Sequence, residues 1–419
     1  MKIVRAIVEA LSVGRTICMH TTKILIPAAV AFGAGATANA ESYSFSYLGT
    51  LGGTYSVANG INSIGQIVGF SGTANGTYHA ALWNGTTAID LGTTGGTYSQ
   101  AFGINDTGQI VGDTMSAANV MKATVWNGFT LTVLGSAGTA SSHAAAVNNT
   151  GQIVGFSQLA GSEDYHATVW AGTVATDLGS LGGVDSLARG ISNTGLIVGA
   201  AYPGQAATQW KGSVASNLNT ISGSESSATG VNDAGVVVGY SISIVDGTAI
   251  SSAISWVDGS ETLLATLGGL SGQANGINIA GQVVGMSTVS DGTYHATLWI
   301  GGVAYDLNSF VDANAMGTGW YLQDASAIND NGWIVGTALN SETGQELAFK
   351  LSVVAIPEPG TYVLMMAGLG ALAFRTSQRG RAALRRSAVS PQRSRDRLFN
   401  DVPSDRRRRG SSAQVSYLT

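Results

Sequence analysis

Three histidines are the residues of this sequence whose type and spacing best suit chemistry. His79, His166 and His295 each stand immediately before an Ala-x-Leu/Val-Trp segment. Three imidazoles could ligate zinc if they met at one point. Because the segment is repeated, the three positions are spread around the fold, and we interpret them as structural residues at strand ends. His143 lies outside this phase and is also interpreted as structural, so the sequence predicts no metal site and no cofactor.

Aspartates recur at two kinds of turn. Some follow the asparagine of a repeated Asn-x-x-Gly segment and others stand in Asp-Gly pairs: Asp106, Asp233, Asp330, Asp246, Asp258 and Asp291. Turn chemistry explains both groups, because Asp side chains hydrogen-bond to nearby backbone. Their spacing matches neither an EF-hand nor a calcium-binding nonapeptide. No acidic residue breaks the repeat as a catalytic carboxylate pair would. We therefore predict no catalytic residue and interpret the chain as a non-enzyme.

Arg189 is the only arginine of the acidic central region, and it occupies a position that differs between copies of the repeat. The residues at this position are Asn59, Phe102, Ala145, Arg189, Thr229, Asn275 and Ser326. A position that packs neighbouring copies should be uniform, whereas one that lines a channel can vary. Arg189 is thus a candidate for binding an acidic ligand, although a local salt bridge with a neighbouring Asp is the favoured interpretation.

The elements that carry these residues belong to one unit that occurs seven times. Its clearest marker is Gly-Ile-Asn-x-x-Gly-Gln-Ile-Val-Gly, with asparagines at Asn62, Asn105, Asn148, Asn193, Asn232, Asn278 and Asn329. An aromatic marker keeps the same phase at Trp83, Trp126, Trp170, Trp210, Trp256, Trp299 and Phe349. A period of about 44 residues indicates a repeat architecture, and the aromatic residues are predicted to pack the units.

Each unit predicts four short strands. Asn-x-x-Gly closes one hairpin and Asn-Gly pairs such as Asn84-Gly85 close another. Apolar runs on both sides of these turns suit short strands. The sequence therefore predicts an all-β fold, a seven-bladed β-propeller. A strand from Tyr43 to Leu48 would complete the last blade beside Leu347 to Leu351, leaving no open edge. A β-solenoid is the second alternative.

Charge and cysteine content exclude several classes of protein. Residues 41–350 contain 20 acidic residues and only four basic ones, which argues against nucleic acid as a partner. The single cysteine, Cys18, lies near the N-terminus. A disulfide framework and a thiol nucleophile are therefore excluded from the repeat region.

The two ends resemble sorting signals. Residues 1–40 read as a signal peptide that ends in Ala38-Asn39-Ala40 before Glu41, with Met1 or Met19 as the start. Residues 41–355 form the repeat domain. Residues 356–386 contain Pro357-Glu358-Pro359, an apolar run from Tyr362 to Phe374 and an arginine cluster. Residues 387–419 form an Arg/Ser-rich extension that we expect to be disordered.

The order of elements in residues 356–386 closely resembles the PEP-CTERM sorting signal of Gram-negative exported proteins. That resemblance implies a signal peptidase and an exosortase as partners. It also implies transient anchoring at the inner membrane, and a final location at the cell surface or in an exopolysaccharide and biofilm matrix. The extension beyond the arginine cluster departs from the family, whose members usually end there.

The repeat itself resembles the extracellular HAF repeat family, on the strength of its Leu-Gly-Gly, Gly-Ile-Asn-x-x-Gly-Gln-Ile-Val-Gly and Tyr-His-Ala-x-Leu/Val-Trp segments. The resemblance implies export and no common reaction. We expect an exported scaffold that binds a surface component. The alternative is a secreted carbohydrate-active enzyme, a glycosidase or lyase, with carboxylates at one mouth of the ring.

Overall fold

The computed structural model describes residues 42–136, 141–202, 204–220, 223 and 225–354. The predicted signal-peptide site (Ala38, Ala40, Glu41) and sorting motif (Pro357, Glu358, Pro359) lie outside these residues. The chain divides into two compact units, Met1–Ala355 and Ile356–Thr419. Among the described residues, no helix is long and apolar enough to cross a membrane.

The described chain is almost entirely β-structure, arranged in four-stranded antiparallel groups, as the sequence predicts. The strands of the first three groups are β2 (Gly52–Ile61), β3 (Ile67–Thr73), β4 (Tyr78–Asn84) and β5 (Thr87–Asp90); β6 (Gly95–Ile104), β7 (Gln109–Ser116), β8 (Met121–Asn127) and β9 (Thr130–Val133); β10 (Ser142–Val147), β11 (Ile153–Gln158), β12 (Tyr165–Ala171) and β13 (Val174–Asp177). We number these groups units 1 to 3. A single parallel bridge, Tyr78 to Tyr98, joins units 1 and 2 into one sheet.

The remaining groups, units 4 to 7, follow the same plan. Their strands are β14 (Ser186–Ile191), β15 (Ile197–Ala201), β16 (Ala206–Lys211) and β17 (Val214–Asn217); β18 (Glu225–Val231), β19 (Val237–Val245), β20 (Thr248–Val257) and β21 (Ser260–Leu263); β22 (Gly268–Ile277), β23 (Val283–Val289), β24 (Tyr294–Ile300) and β25 (Val303–Asp306); β26 (Trp320–Ile328), β27 (Ile334–Asn340), β28 (Glu346–Val354) and β1 (Ser42–Tyr47). A 3₁₀ turn (Leu307–Phe310) and a one-turn helix, α1 (Ala313–Met316), connect units 6 and 7.

The two ends of the described chain meet in unit 7. Strand β1 pairs antiparallel with β28, with Ser42 opposite Val354 and Tyr47 opposite Phe349. The first strand of each unit also contacts the first strand of the next unit, and β26 contacts β2 in the same way. The N-terminal strand thus completes the last unit, as predicted from the strand count.

The core lies between neighbouring units. One cluster joins Val68 and Ala80 of unit 1 to Ile110 and Trp126 of unit 2, and the other clusters repeat this arrangement. The six repeat tryptophans are all at most 1% exposed. Their role as packing residues follows from this burial, because an aromatic side chain contributes most of its stabilisation when it is removed from water.

Phe349 does not occupy the seventh tryptophan position. In unit 1, Trp83 stands opposite Ile67, whereas in unit 7 it is Leu351 that stands opposite the equivalent Ile334. Phe349 lies two residues earlier, opposite Gly336, and is itself fully buried. The prediction was wrong because Phe349 was assigned by its aromatic side chain and not by its position in the strand pairing.

Candidate binding site

Every first strand carries a β-bulge at the same place. The pairing register shifts between Ala58 and Gly60 in unit 1, and equivalent shifts occur in the other six units. The extra residue is the one whose identity varies between copies: Asn59, Phe102, Ala145, Arg189, Thr229, Asn275 and Ser326. A bulge re-aims a side chain out of the regular alternation of a strand.

The bulge also explains the last glycine of the Gly-Gln-Ile-Val-Gly segment. A Cβ atom added to Gly155 in β11 would meet the carbonyl oxygen of His143 in β10, the strand that bulges at Ala145. Gly69 and Gly199 stand against the equivalent carbonyls of Val57 and Leu187. The repeat therefore retains glycine because the neighbouring backbone fills the space of a side chain.

All seven bulge residues line one cavity of about 290 Å³, which we call the central cavity. An adjoining cavity of about 460 Å³ shares six of the seven residues and is lined in addition by His143, Phe156 and Ala188. The variable position is thus a lining position, as its variation indicates. Together these spaces fall in the size range of small-ligand sites.

Arg189 is exposed to the central cavity and forms no salt bridge. Among the described residues, no carboxylate lies within 4 Å of its guanidinium group, so the favoured sequence interpretation of a local ion pair was wrong. Arg189 also affects Tyr202. Burial raises the pKa of the Tyr202 phenol, and the positive charge of Arg189 acts to lower it. An unpaired guanidinium in an acidic domain is available to an anionic group.

Amide and hydroxyl side chains line the cavity from units 1, 6 and 7. Asn275 Nδ2 donates to Asp324 Oδ1 at 2.7 Å and to the carbonyl of Ala325, while Asn59 Nδ2 donates to the carbonyl of Ala101. Ser326 Oγ donates to Asp324 Oδ2 at 3.1 Å. Burial raises the pKa of Asp324 above its usual range, against the lowering effect of Ser326 and Asn275.

His143 stands in the adjoining cavity between two aromatic rings. Its ring stacks on Phe156 and lies 4.6 Å, between centroids, from Phe102. Its Nδ1 atom contacts Asp113 Oδ2, a buried carboxyl that also accepts from the backbone N–H of Ala144. Burial raises the pKa of Asp113, and the hydrogen bond with His143 acts in the opposite direction. The sequence analysis did not predict this pair. Asp113 stands where some other units have Phe or Met after the equivalent glycine, and no local motif around it indicates a functional residue.

The other three histidines do not converge. His79, His166 and His295 each contact their own Asp across the third and fourth strands of a unit, at Nδ1–Oδ2 distances of 2.8, 2.9 and 2.8 Å: Asp90, Asp177 and Asp306. Each Asp also accepts from a backbone N–H two residues later. These pairs join the third and fourth strands near their ends, as interpreted. The constant spacing of 11 residues between the histidine and its aspartate could have revealed them.

Turn residues line a third cavity, of about 120 Å³, which shares Ile191, Val231 and Ile277 with the central cavity. Asn62 Nδ2 donates to the carbonyl of Asn105, and this bond recurs from each turn to the next wherever an asparagine is present. In unit 4 the equivalent residue is Ser192, not Asn193, because Ser192 N bonds to Leu196 O as Asn62 N bonds to Gln66 O. The prediction of Asn193 was wrong by one residue, because it relied on residue type and not on position in the turn.

The turn aspartates also join neighbouring turns. Asp106 Oδ1 accepts from Ser63 N at 2.8 Å, and Asp233 and Asp330 accept equivalently from the preceding units. Partial burial acts to raise the pKa of Asp106, but hydrogen bonds from Ser63 and Asn149 lower it overall. No group of three or more potential metal ligands occurs among residues that the structure describes.

The Asp-Gly aspartates serve hairpins. Asp246 and Asp258 have φ values of 50° and 49°, which two-residue hairpin turns require, and Asp291 Oδ1 accepts from Thr293 N. Turn chemistry accounts for these residues as the sequence indicates.

Comparison with known protein families gives one match, in the C-terminal part of the chain. The PEP-CTERM protein-sorting motif matches residues 355–381. This motif implies export to the cell envelope and sorting to the surface in Gram-negative bacteria, and it is consistent with processing by an exosortase.

The other comparisons give only distant similarity. No curated protein matches the chain. The crystal structure of TolB from Acinetobacter baumannii matches with 10% sequence identity and a TM-score of 0.33, over 58% of this chain and 63% of the TolB chain. The match therefore spans somewhat less than two thirds of that protein.

Proposed function

We propose that this chain is an exported surface protein whose seven units form the blades of a β-propeller that binds an anionic extracellular ligand in the central cavity. The observation that carries the proposal is Arg189, an unpaired cation at the lining position whose residue type varies most between units. Binding is its function and catalysis is not. The ring of first-strand contacts, with β1 completing unit 7, supports the propeller.

The ligand chemistry follows from the charges that line the neighbouring cavities. The third cavity, at the turns, is lined by Asp233 and Asp330, which repel an anion. Arg189 stands at the bulge position, three residues before the turn, and also lines the adjoining cavity. A carboxylate or sulfate group therefore enters from the adjoining cavity and meets the guanidinium fork. The oxygen atoms of the Asn59 and Asn275 amides supply acceptors for ligand hydroxyls.

In this proposal the binding site acts outside the cell, which the PEP-CTERM motif at residues 355–381 supports. Signal peptidase removes the leader, the C-terminal segment holds the chain briefly at the inner membrane, and an exosortase releases the repeat domain to the surface. The HAF-repeat resemblance and the acidic domain agree with an extracellular scaffold. Acidic polysaccharide of the surrounding matrix is the ligand class that unites the location with Arg189.

A charge-removal series tests the proposal on the full-length protein. The probes are a hexameric oligogalacturonate and a neutral glucan hexasaccharide, measured by calorimetry. We expect the wild-type protein to bind the oligogalacturonate, and Arg189→Ala to weaken binding at least tenfold, about 1.4 kcal/mol, with an unchanged melting temperature. Lys211→Ala is the matched control, because Lys211 is an exposed cation at the end of β16 in the same unit. Equal binding by wild type and Arg189→Ala would contradict the proposal.

A second candidate, a secreted carbohydrate-active enzyme, is favoured by the His143–Asp113 pair. Asp113 occupies Nδ1 and so leaves Nε2 of His143 for a substrate, in a cavity that Arg189 also lines. An imidazole base beside a carboxylate-binding arginine suits proton abstraction from a uronate. Release of reducing ends or unsaturated products from the oligogalacturonate, lost in His143→Gln, would establish the enzyme. Binding without product release would favour the scaffold.

A further inference from the structure

A cavity between units 1 and 2 is lined in part by aromatic rings. It has a volume of about 820 Å³, and its walls include Tyr55, Phe70, Tyr78 and Tyr98, with Gln100 at one side. We call it the tyrosine groove. It shares none of its lining with the Arg189 and His143 cavities described above.

The rings of the groove form a continuous series. Tyr55 lies 5.6 Å from Phe70 and 6.0 Å from Tyr78, and Tyr78 lies 6.4 Å from Tyr98, between ring centroids. Tyr78 is 46% exposed. No hydrogen-bond partner of the Tyr55, Tyr78 or Tyr98 hydroxyl occurs among the described residues. Buried tyrosines usually find such a partner within the protein, so these phenols are available to a ligand.

Packing of the repeat does not require these tyrosines. Unit 6 has nearly the same sequence as unit 1, with Gly-Thr-Tyr-His-Ala at both third strands, but Ser271 stands where unit 1 has Tyr55. At the junction of units 3 and 4, Tyr165 and Asp185 occupy the places of Tyr78 and Tyr98, and Tyr165 N donates to the Asp185 side chain. The fold is therefore built equally well without the ring series, which is concentrated at one junction.

The groove favours an uncharged ligand. None of its lining residues carries a charge. Burial raises the pKa of Tyr98 to about 12, and the negative charge of Asp113 adds to this effect. Burial and then Glu346 raise the pKa of Tyr55 in the same way. The Tyr55 and Tyr98 phenols are protonated donors at neutral pH, and the charges of Glu346 and Asp113 that act on them also disfavour a bound anion.

We propose that the tyrosine groove binds a neutral oligosaccharide, with sugar faces against the tyrosine rings and sugar hydroxyls bonded to the phenols and Gln100. The C–H groups on the face of a pyranose carry a weak positive charge that complements the electron-rich face of an aromatic ring. Sugar hydroxyls both donate and accept, as the uncommitted phenols do. The volume of the groove is ample for two or three sugar rings.

The site is independent of the anionic site proposed above. The probes are neutral hexasaccharides of glucose, galactose and mannose, measured by calorimetry on the full-length protein, with oligogalacturonate as the charged comparator. We expect at least one neutral probe to bind, and Tyr78→Ala and Tyr98→Ala each to weaken it about tenfold or more. Arg189→Ala should leave this binding unchanged.

Tyr294→Ala is the matched control, because Tyr294 occupies the Tyr78 position of unit 6 without lining the groove. It should leave the dissociation constant unchanged. Melting temperatures identify any variant that fails to fold, and Tyr98→Phe, which keeps the ring, then replaces Tyr98→Ala and should weaken binding less than Tyr78→Ala. Failure of all three neutral probes to bind would overturn the proposal, as would equal binding by wild type and Tyr78→Ala.

Discussion

The Asn329 side chain donates from Nδ2 to the backbone carbonyl of Asn62, 2.9 Å away in space and 267 residues earlier in the chain. This bond joins the last turn to the first and repeats the contact that links the other turns. Unit 4 interrupts the series, because the Ser192 hydroxyl pairs with Thr194 Oγ1 and does not reach the next turn. These bonds therefore join the last turn to the first, and the bond from unit 4 to the next turn is missing.

Removal of the closing side chain should destabilise the domain. Asn329→Ala removes the bond to the carbonyl of Asn62, which keeps only the N–H of Gly65, and takes the side-chain acceptor from the N–H of Trp333. We expect a loss of about 1–3 kcal/mol in the free energy of unfolding, measured by urea denaturation. Asn331→Ala, which removes an exposed bond to Ser63 O, is the control. Equal losses in the two variants would show that the buried bond between the last and first turns stabilises the domain no more than the exposed bond does.

Restoring the missing side chain should stabilise the domain. In Ser192→Asn, Oδ1 would accept from Leu196 N, as the serine hydroxyl does, and Nδ2 would extend toward the carbonyl of Asn232. We expect a gain of about 0.5–1.5 kcal/mol, visible as a higher melting temperature. Ser192→Ala should move the melting temperature down. A lower value for Ser192→Asn would mean that the junction of units 4 and 5 differs from the others.

The repeat made the strand plan of this fold predictable, because turn residues and apolar runs act locally. The N-terminal strand of unit 7 followed from counting. Register was harder: Asn193 and Phe349 were each chosen by residue type, and strand pairing assigns their places to Ser192 and Leu351. The Arg189 position was recognised by its variation, but its bulge was not, because a bulge is set by the pairing of two strands.

The tyrosine groove could not be predicted, since its residues are brought together across a junction between units. Tyr78 and Tyr98 belong to different units and meet only because the third strand of one packs on the first strand of the next. Likewise, the His143–Asp113 contact joins β10 to β7. Sequence reasoning within one copy of the repeat does not reach such pairs.

The glycine beside each bulge should tolerate no side chain. In Gly155→Ala, the new Cβ would clash with the carbonyl oxygen of His143, so one strand must shift. We expect a cost of about 3 kcal/mol or more by urea denaturation. Gly161→Ala is the control, because that residue has a φ of 75° and nothing within 4 Å of a new Cβ, and it should cost about 1 kcal/mol. A smaller cost at Gly155 than at Gly161 would contradict the bulge explanation.

The repeat tryptophans should differ in what their indole N–H contributes. Trp170 Nε1 donates to the carbonyl of Gly135, whereas Trp210 Nε1 is buried without a partner among the described residues. Trp170→Phe loses this bond and Trp210→Phe relieves an unsatisfied donor, while both lose similar ring volume. We expect Trp170→Phe to cost about 1 kcal/mol more than Trp210→Phe in the free energy of unfolding. The reverse order would show that ring packing, not the bond, separates the two sites.

Alkaline pH should destabilise the domain through Tyr98. Burial holds the pKa of Tyr98 at about 12 in the folded chain, above its ordinary value of 10.0. Between these values the unfolded chain releases the phenolic proton while the folded chain retains it, so the free energy of unfolding falls as pH rises. Below the unfolded pKa both states keep the proton and the effect disappears.

Tyr98→Phe isolates this contribution, because the Tyr98 hydroxyl has no hydrogen-bond partner among the described residues whose loss would affect stability at neutral pH. We expect the variant to match wild type at pH 8 and to lose less stability than wild type between pH 10 and 11.5, measured by urea denaturation. Tyr47→Phe should show the same reduced slope, since burial also raises the pKa of Tyr47 to about 12. It should in addition be less stable at pH 8, because the Tyr47 hydroxyl donates to the carbonyl of Met316. An alkaline slope equal to that of wild type in both variants would mean that the fold does not hold either phenol protonated above its ordinary pKa.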